Sequence, residues 1–420
     1  MSAIMTQLML PDIKSDKRGY GAAVDIGTTT VVVYLYDMGA QECLAVVSRM
    51  NDQTQYGLDV ISRIQYCNEH GDGVQILQRT IVSQLNDMIG AASEKAGIAR
   101  ERISHSVITG NTTMLHLLSG LSPHSLGELP FRPLSRFGES VPLSRLGIIA
   151  GEQAMCYLPP CMSAFVGSDI SCALLCAGFL ERKETGLLLD IGTNGEVVIG
   201  NDTFVYSTST AAGPAFEGAH IRCGMAGVEG AVNRVYEAQG RLVAEVIGDA
   251  EAKGICGSGL LDATALMRRW GVIDETGKIT GKRADLQFEF EGQPAFRITD
   301  DVFLTQQDVR EIQMAKAAIA AGILTLLHSA GLREADIART YIAGGFGNYM
   351  NRESAREIGL LPAGFRNITG IGNAAGAGAV MALLNDGCQQ EMQRICARSR
   401  HIELGHNPYF MEKYMGGMFF

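Results

Sequence analysis

The chain has 420 residues, 46% of them hydrophobic and 19% charged, with a formal net charge of −10. That length is too great for one hydrophobic core and points to two domains or a pair of lobes. The acidic balance, without a long basic run, argues against a nucleic-acid groove as the main interface. No 18 consecutive apolar residues occur, so no membrane span is expected.

Residues 1–18 hold no apolar core of signal-peptide length and read as a flexible lead. A first lobe is expected over 19–183, and a second over 184–420 with an insertion and a C-terminal tail. The first landmark is Asp25-Ile26-Gly27-Thr28-Thr29-Thr30, set between the apolar runs 21–24 and 31–36. That pattern is strand, tight glycine turn, strand. Apolar residues at Val74, Ile76, Leu77, Ile81, Leu85, Met88 and Ile89 give helical spacing over 73–96. A strand at 106–109 runs into Gly110-Asn111-Thr112-Thr113, and Val166-Gly167-Ser168-Asp169 opens a small-residue helix over 170–179.

The same landmarks then return in the same order. Asp190-Ile191-Gly192-Thr193-Asn194-Gly195 repeats the first hairpin 165 positions on. A strand at 340–343 runs into Gly344-Gly345-Phe346-Gly347-Asn348, and Ile371-Gly372-Asn373-Ala374 opens a small-residue helix over 375–384. Three landmarks in register argue for a duplicated α/β unit. The hairpins imply antiparallel edge strands, and the later strand–helix alternation implies parallel strands covered by helices. Two such lobes facing each other leave a cleft, a favoured place for a ligand. Between the second hairpin and its sequel lie short strands and loops over 239–252 and 278–303. Gly257-Ser258-Gly259 opens a helix over 260–270, and Thr305 caps another that carries Val309, Ile312, Ala315 and Ile319.

The turns suit a polyphosphate. A glycine lets the backbone approach an anion, the flanking N–H groups point at phosphate oxygens, and threonine hydroxyls add donors. Asp25 and Asp190 end the preceding strands. Carboxylates hold Mg²⁺ or its waters rather than phosphate, so both are read as magnesium-side acids. One of them, or Glu196 or Glu217, would orient an attacking water. Glu217 lies in the glycine-flanked loop Ala212-Gly213-Pro214-Ala215-Phe216-Glu217-Gly218, facing the cleft or capping a helix. Gly344, Gly345, Phe346 and Asn348 offer bare backbone to a base or ribose, although close helix–strand packing also needs glycine. Gly257, Ser258 and Gly259 form a helix-start anion site. Arg310, Glu311 and Lys316 read as a solvated helical face, and the Met- and Phe-rich segment 409–420 as a tail packed on the body. The ten cysteines show no C-x-x-C and no zinc or plant-type iron–sulfur spacing, which suits reduced thiols in a cytoplasmic protein. No G-x-S-x-G elbow occurs, so a serine hydrolase is unsupported.

Paired D-I-G-T turns, a late glycine loop and two linking small-residue helices resemble the superfamily of acetate kinase, sugar kinases, Hsp70 and actin. That resemblance implies a duplicated, ribonuclease H-like two-lobe α/β fold. It also implies phosphate-1 and phosphate-2 motifs at 25–30 and 190–195 and an adenosine motif at 344–348. More narrowly, VITGNTTMLHLLSGL (107–121), STAAGPAFEGAHIRCGM (209–225), GICGSGLLDA (254–263), LTQQDVREIQMAKAAI (304–319) and IAGGFGNYMN (342–351) resemble the reductive activators of corrinoid proteins. That family implies a slow, partner-stimulated Mg-ATP-dependent ATPase that drives reduction of Co(II) corrinoid to Co(I). The corrinoid sits on a partner methyltransferase or corrinoid protein, and the activators are homodimers. Its members usually carry an N-terminal [2Fe–2S] domain. The C-x₄-C-x₂-C run is absent here, so no iron–sulfur cluster is expected in this chain: either a separate ferredoxin-like donor supplies the electron, or the chain is a fragment of a longer protein, or the ATPase module serves another purpose. The same fold also serves small-molecule kinases, for which Asp169 at the start of the linking helix is a candidate base, though capping of that helix explains it equally well, and nucleotide-dependent binding proteins with negligible turnover.

Overall fold

The computed structural model describes residues 8–11 and 13–420, with only the backbone for Asp249 and Asn348. The first hairpin sets the topology of its lobe. β1 (Tyr20–Ile26) and β2 (Thr30–Asp37) pair antiparallel, with Ile26 opposite Val31, and β3 (Glu42–Met50) adds to β2. The chain continues through α1 (Val60–Glu69) and α2 (Gly73–Ala96) to β4 (Ile103–Gly110), parallel to β1. Then come α3 (Thr112–Leu118), the hairpin β5 (Glu139–Pro142) and β6 (Met155–Leu158), and the linking helix α4 (Ser168–Cys176). The sheet order is β3-β2-β1-β4-β6-β5.

The second lobe opens with the meander β7 (Gly186–Ile191), β8 (Gly195–Gly200) and β9 (Val205–Thr210). Two small sheets follow on either side of α5 (Gly257–Arg269). The first is β10 (Ala231–Ala238), β11 (Arg241–Val246) and β12 (Gly254–Ile255), and the second is β13 (Gln287–Phe290), β14 (Gln293–Arg297) and β15 (Phe303–Thr305). After α6 (Gln306–Ala330), β16 (Arg339–Ala343) lies parallel to β7. The lobe closes with α7 (Gly344–Tyr349), α8 (Arg352–Glu357), β17 (Ile368–Gly370), the linking helix α9 (Ala374–Leu384), α10 (Asp386–Arg398), β18 (Ser399–His401) and α11 (Pro408–Gly417). Its sheet order, β18-β9-β8-β7-β16-β17, repeats the first lobe from β3 to β6 as β9 to β17. This is the duplicated actin-like α/β fold.

The hairpin strands correct one expectation: they are central, not edge. β1 sits between β2 and β4, and β7 between β8 and β16. The continuous apolar run Val31 to Tyr36 is the reason, since a strand covered on both faces needs no polar alternation. α4 and α9 share one core with Ala23, Tyr34, Leu188 and Val198, so the hydrophobic interior crosses the lobe boundary. The small residues of α9 permit backbone contact. A Cβ added to Gly378 would stand 2.1 Å from the Cys172 carbonyl oxygen of α4.

Three further differences have local causes. The late glycine segment is the short helix α7, not a turn, because Gly344 takes φ +81° and its N–H donates to the Gly372 carbonyl at 2.9 Å. Lys316 is 2% exposed rather than solvated, and its ammonium donates to the Phe419 carbonyl and sits over the Phe420 ring. The tail is fixed the same way, since the Gln313 side chain donates to the Met418 carbonyl at 2.5 Å. Residues 13–18 of the expected lead are tied down too: Asp16 N–H donates to the Leu384 carbonyl at 3.1 Å, and Lys17 pairs with Asp386 at 2.8 Å. Residues 1–7 and 12 lie outside the described residues. By length and composition α6 could cross a membrane, but 72% of its most apolar window is buried within the protein, as in a core helix.

Candidate functional site

Each glycine turn is closed by a backbone hydrogen bond of its own. In the first, Gly27 N–H donates to the Thr30 carbonyl at 2.9 Å and closes the turn. A Cβ on Gly27 would lie 2.7 Å from that oxygen, so only glycine fits. In the second, Gly192 N–H donates to the Asn194 carbonyl at 2.9 Å. Both glycine amides are therefore committed to turn geometry. Among the described residues, the N–H groups of Thr28, Thr29, Thr193 and Asn194 have no acceptor, and these are the donors left for an anion.

The first turn is braced from behind. Asn51 Nδ2 donates to the Gly27 carbonyl at 2.9 Å, and Asn51 N–H to the Thr29 carbonyl at 2.8 Å. Asn111 caps α3 with Oδ1, and its Nδ2 donates to the Thr28 hydroxyl at 3.0 Å. Asn111 thus reaches the cleft through Thr28. Arg63 of α1 is fully buried and donates to the Thr28 carbonyl at 2.5 Å and the Gly57 carbonyl at 3.0 Å. Sequence reasoning missed Asn51 and Arg63. Their signal is an asparagine and an arginine just after the third strand, indistinguishable there from a turn and a polar helix face.

Five carboxyls line the cleft: Asp25, Asp169, Asp190, Glu196 and Glu217. The first four are partly open to the cleft, and Glu217 is exposed at its mouth. Burial pushes Asp25 up to about 7; a bond from Asn373 opposes this, and the charge of Asp190 adds to it. Burial likewise raises Asp169 to about 7, against its own Ile170 N–H bond and helped by Asp25. Asp190 rises to about 7 through burial and then the charges of Asp169 and Glu217. Glu196 is raised well above its usual range by burial and by Asp169 and Asp190, while Ser209 donates to it at 3.2 Å. Although Glu217 as a residue is exposed, the protein around its carboxyl desolvates that group and raises it, against a 2.7 Å bond from the Thr193 hydroxyl. No salt bridge reaches any of the five among the described residues.

The acids interlock across the lobes. Asp25, on the first hairpin, feels the side chain of Asn373, which caps the second-lobe helix α9 and donates from Nδ2 to the Tyr34 hydroxyl at 3.2 Å. Asp190, on the second hairpin, feels Asp169 in the first turn of α4. Each hairpin acid faces the start of the opposite lobe's linking helix, where the helix dipole favours negative charge. Ser168 fixes the α4 start by donating to the Gly110 carbonyl at 2.9 Å and accepting from Gly110 N–H at 3.1 Å.

A wall joins loop 212–218 to α5 and α7. The Phe216 and Phe346 rings lie 5.2 Å apart, and a Cβ on Gly257 would meet both the Phe216 carbonyl and the Phe346 ring. Gly213 and Glu217 flank this contact in sequence. Gly344 abuts Asp190: a Cβ there would lie 3.1 Å from Oδ1. Ser258 and Gly259 turn away. The Ser258 hydroxyl donates to the Asn233 carbonyl at 2.9 Å, and Gly259 packs on the β10 backbone. Gly345 is partly exposed in α7, and the side chain of Asn348 is outside the described residues.

Among the described residues, no three His, Cys, Asp or Glu groups converge to hold a metal ion directly. Separated carboxylates suit a hydrated cation instead, because Mg²⁺ dehydrates reluctantly and is commonly held through its waters and a phosphate. The donor set therefore fits a magnesium–polyphosphate: anion-seeking amides on the turns, and acids without counter-charges beside them.

Comparisons with known proteins bear on the family and the fold. The family model for the RACo middle region matches residues 20–182, and that for the C-terminal, ASKHA domain of RACo matches residues 184–420. The chain is 37% identical to the corrinoid activation enzyme RamQ of Eubacterium limosum, over 97% of this chain and 71% of that protein. It is 27% identical to the [Co(II) methylated amine-specific corrinoid protein] reductase of Methanosarcina barkeri, over 85% of this chain and 68% of that protein. The solved structure of a reductive activator for corrinoid, iron–sulfur protein superposes with a TM-score of 0.87 at 35% identity, covering 96% of this chain and 66% of that one.

Proposed function

We propose, from the premise that the chain belongs to the RACo family of reductive activators by its middle region and its C-terminal ASKHA domain, that it is an ATP-dependent module for reducing Co(II) corrinoid to Co(I) on a partner protein. The names of its relatives, an activation enzyme, a corrinoid-protein reductase and a reductive activator, support the corrinoid as the target. The electron comes from a separate low-potential donor of the ferredoxin kind.

The observation that carries the ATP reading is the pair of acid-bearing glycine turns, each facing the other lobe's linking helix. In this reading the amides of Thr28, Thr29, Thr193 and Asn194 bind phosphate oxygens. Asp25 and Asp190 hold the waters of a magnesium ion, which neutralises phosphate charge. Glu217, beside the second turn, orients the attacking water, and the Phe216–Phe346 wall receives the nucleoside. Binding or hydrolysis alters the corrinoid partner only if ATP and its products favour different cleft states, because the coupling cannot exceed that difference.

A cobalt-spectrum assay tests the proposal. A corrinoid methyltransferase or corrinoid protein is mixed with a low-potential reductant and this protein, with and without Mg-ATP. Co(I) absorption is expected only in the complete mixture. Its failure to appear with any donor of suitable potential overturns the activator reading. A kinase reading draws on Asp169, whose carboxyl near 7 suits a general base. Release of free phosphate without any acceptor separates the ATPase from that alternative.

A further inference from the structure

Behind the first phosphate turn lies a buried positive charge. Arg63 has no solvent-accessible surface. Its donors all meet neutral acceptors: the Thr28 carbonyl at 2.5 Å, the Gly57 carbonyl at 3.0 Å, Gln53 Oε1 at 3.3 Å and the Met114 sulfur at 3.0 Å. No carboxylate among the described residues lies within salt-bridge reach of it. Asp59 is the acid that acts on it, and that carboxylate is engaged at 2.7 Å by Ser62 N–H at the start of α1. Burial lowers the guanidinium to about 10, so it stays charged at neutral pH.

A desolvated cation without a counter-ion is costly, and the cost is offset when an anion arrives. The turn in front of it is where an anion fits. The Thr28 carbonyl that Arg63 holds belongs to the turn whose Thr28 and Thr29 amides have no acceptor among the described residues. The other ionisable groups described at the cleft are acids. A polyphosphate entering it therefore meets repulsion from Asp25 and Asp190 and attraction from one buried guanidinium.

We propose that Arg63 is a positioning residue and the counter-charge of the first phosphate turn, and that it biases the cleft towards the more highly charged nucleotide. This rests on the ATP reading above. The planar fork pins the Thr28 and Gly57 carbonyls together, which holds the turn amides towards the cleft. The charge behind the turn contributes separately, by an amount that grows with ligand charge. Across several ångströms of partly dry protein that attraction is about tenfold in affinity per unit of ligand charge.

Calorimetric titration of the full chain with ATP, ADP and adenosine separates the two contributions. Arg63→Met, folded by circular dichroism, is expected to lower the ratio of ATP to ADP affinity about tenfold and leave adenosine binding unchanged. Arg63→Lys, which keeps the charge but not the fork, is expected to weaken ATP and ADP equally and keep the wild-type ratio. Equal loss for all three ligands in Arg63→Met, or an unchanged ratio, overturns the proposal. Should Arg63→Met not fold, Arg63→Lys decides: equal weakening at a constant ratio supports it, and a collapsed ratio or wild-type affinities overturn it. A wild-type chain that binds neither nucleotide overturns the ATP reading itself, which is a distinct result.

Discussion

At the residue scale, the acids proposed for the magnesium side of the cleft also destabilise it. Asp25, Asp169 and Asp190 titrate near 7 when folded, against about 4 in an unfolded chain. Between those values the folded form holds more protons than the unfolded form. Stability therefore falls as pH rises from about 4 through 7, and below that window the penalty is absent. Asp190→Asn removes one negative charge from the cluster. It is expected to stabilise the metal-free protein at pH 8 by about 1–2 kcal/mol, a figure reduced because solvent reaches one side of the carboxyl. The same substitution is expected to cut Mg-ATP turnover by about a hundredfold or more. Thermal melts at pH 5 and pH 8 check the first point, because the gain must shrink at pH 5; an equal gain at both values removes the electrostatic explanation. Magnesium affinity in the presence of nucleotide should rise with pH through about 7, since the cation competes with these protons. Asp25 and Asp190 were legible from sequence because each sits near a strand end just before a glycine turn, and Asp169 because it follows the glycine that opens a small-residue helix. Arg63 was not: its burial depends on accepting carbonyls at Gly57 and Thr28, and the Thr28 carbonyl lies 35 positions away in the chain.

At the element scale, the two linking helices fix the distance between the lobes. Their contact is backbone on backbone, with the Gly378 site 2.1 Å from the Cys172 carbonyl once a Cβ is added. Gly378→Ala must push α4 and α9 apart and strain the core they share with both sheets. A loss of about 2–4 kcal/mol is expected, read as a lower melting temperature. Gly416→Ala in α11 is the control: a Cβ there meets nothing within 4 Å, so helix propensity alone should leave stability unchanged or slightly raised. Equal melting temperatures for wild type and Gly378→Ala would show that the helices have slack. Elements with a strong period were legible. Helix α2 runs over Gly73–Ala96 as its apolar spacing predicts, and Thr305 caps α6 with Asp308 reciprocating. Helix α7 was not legible, because four of its six residues are Gly or Asn, whose local preferences favour turns. It forms because Gly344 can take a left-handed φ and bond Gly372 on the neighbouring strand's exit.

At the scale of the whole molecule, the duplicated sheets meet in one continuous core at α4 and α9, yet the hairpins that face each other carry like charges. Asp25 and Asp190 repel across the boundary, and Asp169 and Glu217 add to the repulsion on Asp190. Packing holds the lobes together at the linking helices while electrostatics opposes their approach at the turns. Such a balance is shifted by a ligand that removes the repulsion, and by no more than that ligand's preference for the closed form. Small-angle scattering is therefore expected to show a smaller radius of gyration with Mg-nucleotide, by about 0.5–1 Å for a hinge closure in a chain of this size. Nucleotide in the presence of a chelator should not produce it, because the added phosphates bring more negative charge to the acids. A double variant, Asp25→Asn with Asp190→Asn, should start nearer the compact form and respond less. Scattering that is identical in all of these states would mean that the lobes are locked by their shared core, and that a partner must read the cleft through its surface rather than through the angle between the lobes.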